Sequence, residues 1–162
     1  MSPRRFYTYP MQTVEALFAD YASYHQTKGN KVFHRLGIPM IMFSLIGMLT
    51  QVTLFDVGTI RLDAAMVLIA LSSAYYFIVE WRLGSAMIAV SIVFYFVSAA
   101  IPLMINVILF VLGWIFQFIG HKVYEHKNPA FFRNFVHLLI GPLWILNDVI
   151  PVVKSGATNR AA

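Results

Sequence analysis

Long uncharged stretches separated by short polar ones dominate this chain. Residues 36–55 form the first, 20 residues without a charge, and at 1.5 Å per residue a helix of that length covers roughly 30 Å, the thickness of a bilayer core. A polar turn, residues 56–63, leads into a second uncharged stretch, residues 64–79, which ends at Glu80. We therefore predict two membrane-spanning helices joined by a short turn.

The longest uncharged stretch, residues 83–120, is too long for one crossing. As one helix its 38 residues would extend about 57 Å, and Pro102 lies at its middle. Because proline interrupts the hydrogen bonds of a helix, we predict two spans joined by a turn at residues 99–102, with a single kinked helix as the alternative. Residues 36–120 would then hold four spans, preceded by an N-terminal helical segment, residues 1–35.

The C-terminal part of the chain is less regular. A polar segment, residues 121–134, precedes a further apolar stretch, residues 135–153, which Gly141-Pro142 interrupts. This interruption favours a re-entrant or interfacial helix pair over a full span. Residues 154–162 form a small polar tail.

Composition supports a membrane protein. Hydrophobic residues make up 59% of the chain and charged residues 12%, and the mean hydropathy is +0.71, which leaves too few polar residues for a water-facing surface. We predict an all-α integral membrane helical bundle of about four transmembrane helices plus the C-terminal pair, as a single membrane domain over residues 1–162. The chain has no cysteine, which excludes disulfides and thiolate metal sites, and the charges in the first 35 residues argue against a cleavable signal peptide.

The basic residues predict the orientation of the bundle. Five Lys and Arg residues precede the first span and three lie in residues 121–134, whereas the turns between spans hold one or none. By the positive-inside rule we expect both termini in the cytoplasm, as an even number of spans also requires, in a bacterial inner membrane or the endoplasmic reticulum. The net charge of +5 is scattered through loops, which suits membrane lipid headgroups as partners rather than nucleic acid.

Polar residues gather at one rim of the predicted bundle. Gln117, His121 and Glu125 follow at four-residue intervals, so they share one helix face. The stripe begins inside an apolar run, where polar groups need partners and are functional candidates. The alternative is that these side chains face lipid headgroups and that Glu125 pairs with a nearby cation. His126 points away from the stripe.

The predicted topology places two more histidines on the same membrane face. His25 and His34 precede the first span, nine residues apart, and a break at Lys28-Gly29-Asn30 would turn both imidazoles inward. Asn30 and His34, four apart, share a face. Three neutral imidazoles with a nearby carboxylate and amide suit a borderline metal such as Fe(II) or Zn(II). Isolated histidines at a membrane interface are the alternative.

These residues carry a family likeness, which extends from about Tyr21 to Asp148. The chain resembles the small membrane proteins typified by the fungal 2-hydroxy fatty acid dioxygenase of sphingoid-base α-oxidation. The matching features are Tyr24-His25, Asn30, His34, Gly37, Pro39, the segment WIFQFIGHKVYE (residues 114–125), Pro129-Ala130 and Gly141-Pro142.

The resemblance implies an Fe(II)-dependent dioxygenase that needs no 2-oxoglutarate and shortens a long-chain 2-hydroxy fatty acid by one carbon with O2. The essential histidines of the family fall on His25, His34 and His121. One departure is Gln26, since the fungal pattern has a second histidine there, and Glu125 is the candidate to replace it as a ligand.

Joining both lines of argument, we expect His25, His34 and His121 to bind Fe(II), with Gln117, Asn30 and Glu125 orienting them or, for Glu125, contributing to catalysis. The acyl chain would lie between spans. Its expected apolar lining is Phe43, Phe94, Phe110 and Phe118, and the cations expected to attract its carboxylate are Lys28 and Lys122. His126 and His137 are expected to be structural.

Three other functions are weighed against this one. A di-iron membrane hydroxylase needs more histidines than the five present, in clustered boxes. A non-catalytic transporter or scaffold predicts polar residues near the bilayer midplane, where this chain has few. A zinc-dependent membrane hydrolase would use the same three histidines without O2.

Overall fold

A computed structural model describes residues 12–129 and 135–153 of the chain. This part folds into α-helices and one β-hairpin. In chain order the elements are α1 (Val14–Ser23), α2 (Lys28–Leu49), β1 (Thr53–Val57), β2 (Ile60–Asp63), α3 (Ala64–Val79), α4 (Trp81–Ala99), α5 (Leu103–Ile119), a π-helical turn (Gly120–Tyr124) that continues α5, and α6 (Val136–Val149). The predicted tail, residues 154–162, lies outside the described residues.

Three of these helices are long and apolar enough to cross a membrane: α2, α4, and α5 together with its π-helical turn. The helix α3 has the predicted bounds, but with 16 residues it is shorter. The break at Pro102 is confirmed, because α4 ends at Ala99 and α5 begins at Leu103. The single kinked helix is therefore wrong.

The first predicted span needs correction at both ends. It was expected over residues 36–55, but α2 begins at Lys28 and ends at Leu49. The Thr27 hydroxyl accepts a hydrogen bond from the Asn30 N–H and caps the helix, so residues 28–30 form its first turn and the break lies before them, not at them. Residues 24–27 precede α2 and residues 50–52 follow it, and neither segment is helical.

The polar turn is a β-hairpin, so the prediction of an all-α fold is wrong there. β1 and β2 pair antiparallel, with Val57 opposite Ile60 and Asp56 opposite Arg61. The strands contain Thr, Val, Phe and Ile, which favour extended structure. Gly58 has a φ of +62°, a conformation that glycine adopts without steric cost. The last six residues before Asp56, residues 50–55, therefore lie outside the helix and lead into or belong to the hairpin.

The prediction of a C-terminal helix pair is also wrong, because α6 continues through Gly141-Pro142 as one helix. Proline inside a helix costs about 3 kcal/mol through one lost hydrogen bond and a steric clash. Burial offsets this cost: Ile140, Leu143 and Trp144 are all buried, and each such side chain contributes roughly 1.5–3 kcal/mol.

The four longer helices, α2 to α5, form a bundle, and the two shorter ones, α1 and α6, cover part of it. α2 packs mainly against α5 and also against α4, and α3 packs against α4. α6 contacts α1, α2 and α4. A buried core joins the covering helices to the bundle; it includes Phe18, Tyr21, Tyr76, Leu83, Met87, Ile140, Leu143 and Trp144. This core lies at the end where α2 begins and α5 ends.

Glycines bring α2 and α5 into close contact. A Cβ atom added to Gly37 would lie 2.8 Å from the Gly113 carbonyl oxygen, and one added to Gly113 would lie 3.0 Å from the Gly37 carbonyl oxygen. Small residues that let two backbones approach are typical of helix pairs in membranes. A side chain at either position would force the helices apart.

We therefore expect Gly37→Ala to destabilise the protein. Overpacking costs about 1–3 kcal/mol, which exceeds the roughly 1 kcal/mol that alanine gains over glycine inside a helix. Thermal unfolding of the purified protein in detergent, followed by tryptophan fluorescence, measures the effect. Val111→Ala, at a half-exposed position of α5, is the control. A Gly37→Ala protein as stable as the control would contradict the close contact.

Candidate metal centre

Three buried histidines converge from three parts of the chain. His25 lies in the loop between α1 and α2, His34 lies on α2, and His121 lies in the π-helical turn. One ring nitrogen from each lies within 4.8 Å of the other two. The ring centroids are 4.3 Å apart for His25 and His34, 4.9 Å for His25 and His121, and 4.7 Å for His34 and His121. The sequence predicted this set of residues, and the fold brings them together.

Backbone carbonyls fix the orientation of two rings. His25 Nδ1 lies 2.7 Å from the Tyr21 carbonyl oxygen, and His34 Nδ1 lies 3.0 Å from the Asn30 carbonyl oxygen. Because a carbonyl only accepts, both Nδ1 atoms carry the proton, and each Nε2 atom keeps its lone pair. His34 Nε2 in turn lies 3.1 Å from His121 Nε2. The Nε2 atoms of His34 and His121 therefore face each other within the group of three histidines.

The π-helical turn determines where His121 lies. The Glu125 N–H donates to the Gly120 carbonyl oxygen at 3.2 Å, five residues back. The regular α-helical stripe expected from Gln117 to Glu125 is therefore interrupted, although all three of its side chains are buried. Turns of this kind are rare and often occur at functional sites. A Cβ atom at Gly120 would overlap Asn30 Oδ1 and lie 3.1 Å from His34 Nδ1, so the turn lies directly against the second histidine.

The environment keeps His25 neutral. Burial lowers the pKa of His25 to about 4, although the hydrogen bond to the Tyr21 carbonyl raises the pKa. The Tyr21 ring also stacks on the imidazole, with centroids 4.0 Å apart. At pH 7 the ring therefore offers a lone pair, the form in which histidine binds metals.

Unpaired buried nitrogen and oxygen atoms among these residues fit a cation. Within the described residues, His25 Nε2, His121 Nδ1 and Asn30 Oδ1 are buried without a hydrogen-bond partner. Gln117 Nε2 is also unpaired, but it is an N–H donor and does not bind cations. Unpaired buried polar atoms are costly and call for an explanation such as a bound ion. Three neutral imidazoles, two with the other ring nitrogen held by a carbonyl, are a donor set that Fe(II) and Zn(II) accept.

Glu125 holds the loop that carries His25. Its Oε1 accepts from the Thr27 N–H at 2.7 Å and from the Thr27 hydroxyl at 3.2 Å. Burial opposes ionisation, but hydrogen bonds from Thr27, Asn30 and the Gln26 N–H outweigh it and lower the pKa of Glu125. In the described part of the chain, the group of possible metal ligands contains the three histidines and not Glu125. The carboxylate therefore positions the loop.

The remaining histidines and Gln26 differ from the cluster. Gln26 is exposed, so the departure from the fungal pattern does not alter the buried cluster, and His126 is exposed as well. His137 is buried, and its Nε2 lies 2.8 Å from Asp20 Oδ2.

A cavity of about 80 Å3 adjoins the cluster. The three histidines line it, as do His137 and Tyr21, which sequence reasoning did not assign to the site. The signal for His137 was an ionisable residue in an apolar stretch. Tyr21 gave none, because its contact with His25 depends on the packing of α1. The other lining residues are Ile38, Ile41, Met42, Trp114, Gln117, Leu138 and Pro142.

Fold and site together define a helical protein with three helices long and apolar enough to cross a membrane, in the described part of the chain, and a buried three-histidine cluster at one end of the bundle. The chain belongs to the 2-hydroxy-palmitic acid dioxygenase Mpo1-like family, whose model matches residues 11–151. It is 32% identical, over 137 residues, to the 2-hydroxy-palmitic acid dioxygenase MPO1 of Saccharomyces cerevisiae; the match covers 80% of this chain and 75% of the yeast protein. No solved structure matches the chain. The predicted family is confirmed.

Replacing Glu125 by Gln should destabilise the protein in a pH-dependent way. Hydrogen bonds to a charged group contribute about 1.5–3 kcal/mol, so we expect a loss of about 2 kcal/mol at pH 7. Since the pKa of Glu125 is lowered on folding, this stability is present above the unfolded pKa of about 4.3 and is lost as pH falls through the lower folded pKa.

Thermal unfolding measured from pH 7 down to pH 3 tests this expectation. The gap between the wild type and Glu125→Gln should narrow across the acidic range. Glu15→Gln, at an exposed position of α1, is the matched control. A gap that stays constant with pH would show that the ionised carboxylate does not anchor the loop.

Proposed function

We propose that this protein is an Fe(II)-dependent dioxygenase that shortens long-chain 2-hydroxy fatty acids by one carbon with O2. The observation that carries the proposal is the convergence of His25, His34 and His121, with the Nδ1 atoms of the first two held by backbone carbonyls. Membership of the family and the name of the yeast relative supply the substrate class.

The three histidines would hold the iron. When bound, Fe(II) supplies open coordination positions for O2 and for the hydroxyl and carboxylate oxygens of the substrate, and it supplies the redox chemistry. Histidine ligands in metal sites commonly donate the second ring N–H to a carbonyl, which fixes the ring and raises its basicity. The backbone carbonyl oxygens of Tyr21 and Asn30 accept these hydrogen bonds here.

Other residues of this chain would orient the substrate and exclude water. Gln117 lines the cavity, and its Nε2 is a buried donor without a partner in the described residues, so it can donate to a substrate oxygen. Glu125, through Thr27, keeps His25 in place. Tyr21 and Trp144 cover the cluster, since both rings lie close to His25.

The orientation in the membrane is part of the proposal. Lys28 and Lys122 are exposed at the end of the bundle that carries the histidines, and basic residues favour the cytoplasmic side. We therefore place the site at the cytoplasmic rim of a bacterial inner membrane or of the endoplasmic reticulum, with both termini cytoplasmic. The exposed cations would attract the carboxylate of an incoming fatty acid.

Anaerobic purification followed by metal analysis tests the proposed function. The wild type should contain iron and consume 2-hydroxypalmitate only when O2 is present. His25→Asn, His34→Asn and His121→Asn should each lose most of the iron and at least about 100-fold in turnover, since a metal ligand is removed. The matched control is His126→Asn, which lies at an exposed position with a φ of 53° that asparagine tolerates.

Three results would contradict the proposal. Iron and turnover in His121→Asn equal to those of His126→Asn would exclude His121 as a ligand. Zinc in place of iron, with turnover independent of O2, would indicate a hydrolase. Purified protein without metal and without turnover would favour a transporter or scaffold.

A further inference from the structure

A second, larger cavity adjoins the histidine cavity. Its volume is about 350 Å3, within the range of about 300–1,000 Å3 typical of ligand sites. The two cavities share Ile41, Met42, Trp114, Leu138 and Pro142. Its other lining residues are Leu45, Ile46, Leu68, Ile69, Ser72, Tyr76, Ser91, Phe110, Phe135 and Leu139. The histidine cavity therefore borders an almost entirely apolar space.

The arrangement of the helices creates this space. α5 packs on α2 while α3 packs on α4, and the cavity lies between these pairs, with α6 contributing Leu138, Leu139 and Pro142. Its polar lining is largely satisfied within the helices: the Ser72 hydroxyl, for example, donates to the Leu68 carbonyl oxygen at 2.7 Å. The cavity thus offers hydrocarbon contacts to its occupant and few hydrogen bonds.

The length of the space can be measured along two helices. Ile46 lies twelve residues beyond His34 on α2, which is about 18 Å. Phe110 lies eleven residues before His121, which is about 16 Å. An extended chain of single bonds advances roughly 1.2 Å per bond, since the three backbone bonds of one extended residue span at most about 3.6 Å. The distance from the histidines to the far wall therefore corresponds to roughly 14 bonds.

We propose that this cavity binds the acyl chain of the substrate, with the 2-hydroxy-carboxylate end at the histidines, and that its far wall at Leu45, Leu68 and Phe110 sets the preferred chain length. The proposal rests on the proposed function. The five lining residues that the two cavities share carry it, because one amphiphile with a polar head and a chain of about sixteen carbons would extend across both. The sequence-based lining is corrected here: Phe110 lines the cavity, whereas Phe43 and Phe94 pack against each other, with centroids 5.4 Å apart, and Phe118 packs against Trp114.

Two substitutions alter the cavity in opposite directions. Ser72→Phe fills its middle, and Phe110→Ala removes part of its far wall. The matched controls are Ser85→Phe and Phe77→Ala, both at exposed positions of neighbouring helices. Turnover is measured with 2-hydroxy acids of eight, twelve, sixteen and twenty carbons. Each variant is compared with the wild type at the same chain length, so that the partition of the acid into detergent affects both equally.

In Ser72→Phe we expect kcat/KM to fall about tenfold or more for the sixteen-carbon acid and to stay near wild type for the eight-carbon acid. The reason is that each methylene group excluded from the cavity lowers kcat/KM about fourfold. In Phe110→Ala the optimum should shift to longer chains, with a gain of about threefold or more for the twenty-carbon acid. Length profiles of both variants identical to those of their controls would overturn the proposal. If Ser72→Phe fails to fold, Phe110→Ala still decides.

A binding measurement separates this proposal from the proposed function. Trp114 lies seven residues before His121, about 10 Å along the helix, so a bound chain should pass it near its middle. In a Trp81→Phe/Trp144→Phe protein, a fatty acid brominated at mid-chain should quench Trp114 more than one brominated at either end. This result without any turnover would support chain binding while the dioxygenase function fails. Equal quenching from all bromine positions, as expected for a lipid tail lying in varied registers, would overturn the proposal.

Discussion

The close contact between α2 and α5 is the constraint on which the site depends. Gly37 and Gly113 let the two backbones approach, and this approach continues to the end of the pair, where Gly120 lies against Asn30 and His34. A lone pair reaches a metal only over about 2.0–2.1 Å, so two histidines on different helices can share an ion only if the helices are held this closely. The 3.1 Å distance between His34 Nε2 and His121 Nε2 is the result.

The third histidine is held by a different device. His25 lies outside the long helices, on a loop that would be free to move without its anchors. The Tyr21 carbonyl oxygen accepts a hydrogen bond from His25 Nδ1, and the Tyr21 ring stacks on the imidazole. Glu125 accepts a hydrogen bond from Thr27, two residues further along the same loop. The anchor belongs to the segment that follows His121, so the loop before α2 and the end of α5 hold each other. Such preorganisation spares a bound metal the cost of ordering its ligands.

The covering helices connect the polar end of the bundle to its apolar interior. α6 runs through Gly141-Pro142 without a break, and Pro142 lines both cavities. In the helix pair that the sequence suggested, a break at Gly141-Pro142 would separate Pro142 from His137 and Leu138. In the single helix α6, all three residues line the histidine cavity. In the proposed function, the histidine end would receive the polar head of a fatty acid and the apolar cavity would receive its chain.

The sequence by itself determined the properties that depend on local composition and spacing. The bounds of α3, the break at Pro102 and the placement of His25, His34 and His121 at one end of the bundle could be predicted, because charge, proline and the placement of polar residues in apolar runs act locally. The tertiary structure decided the rest. The π-helical turn, the bond of Glu125 to Thr27, the hairpin after α2 and the cavity between α2, α3, α5 and α6 depend on which helices meet. The reason is physical: contacts between residues about 100 positions apart, such as Thr27 and Glu125, exist only once the backbones of α2 and α5 have come together, and no periodicity in the sequence encodes them.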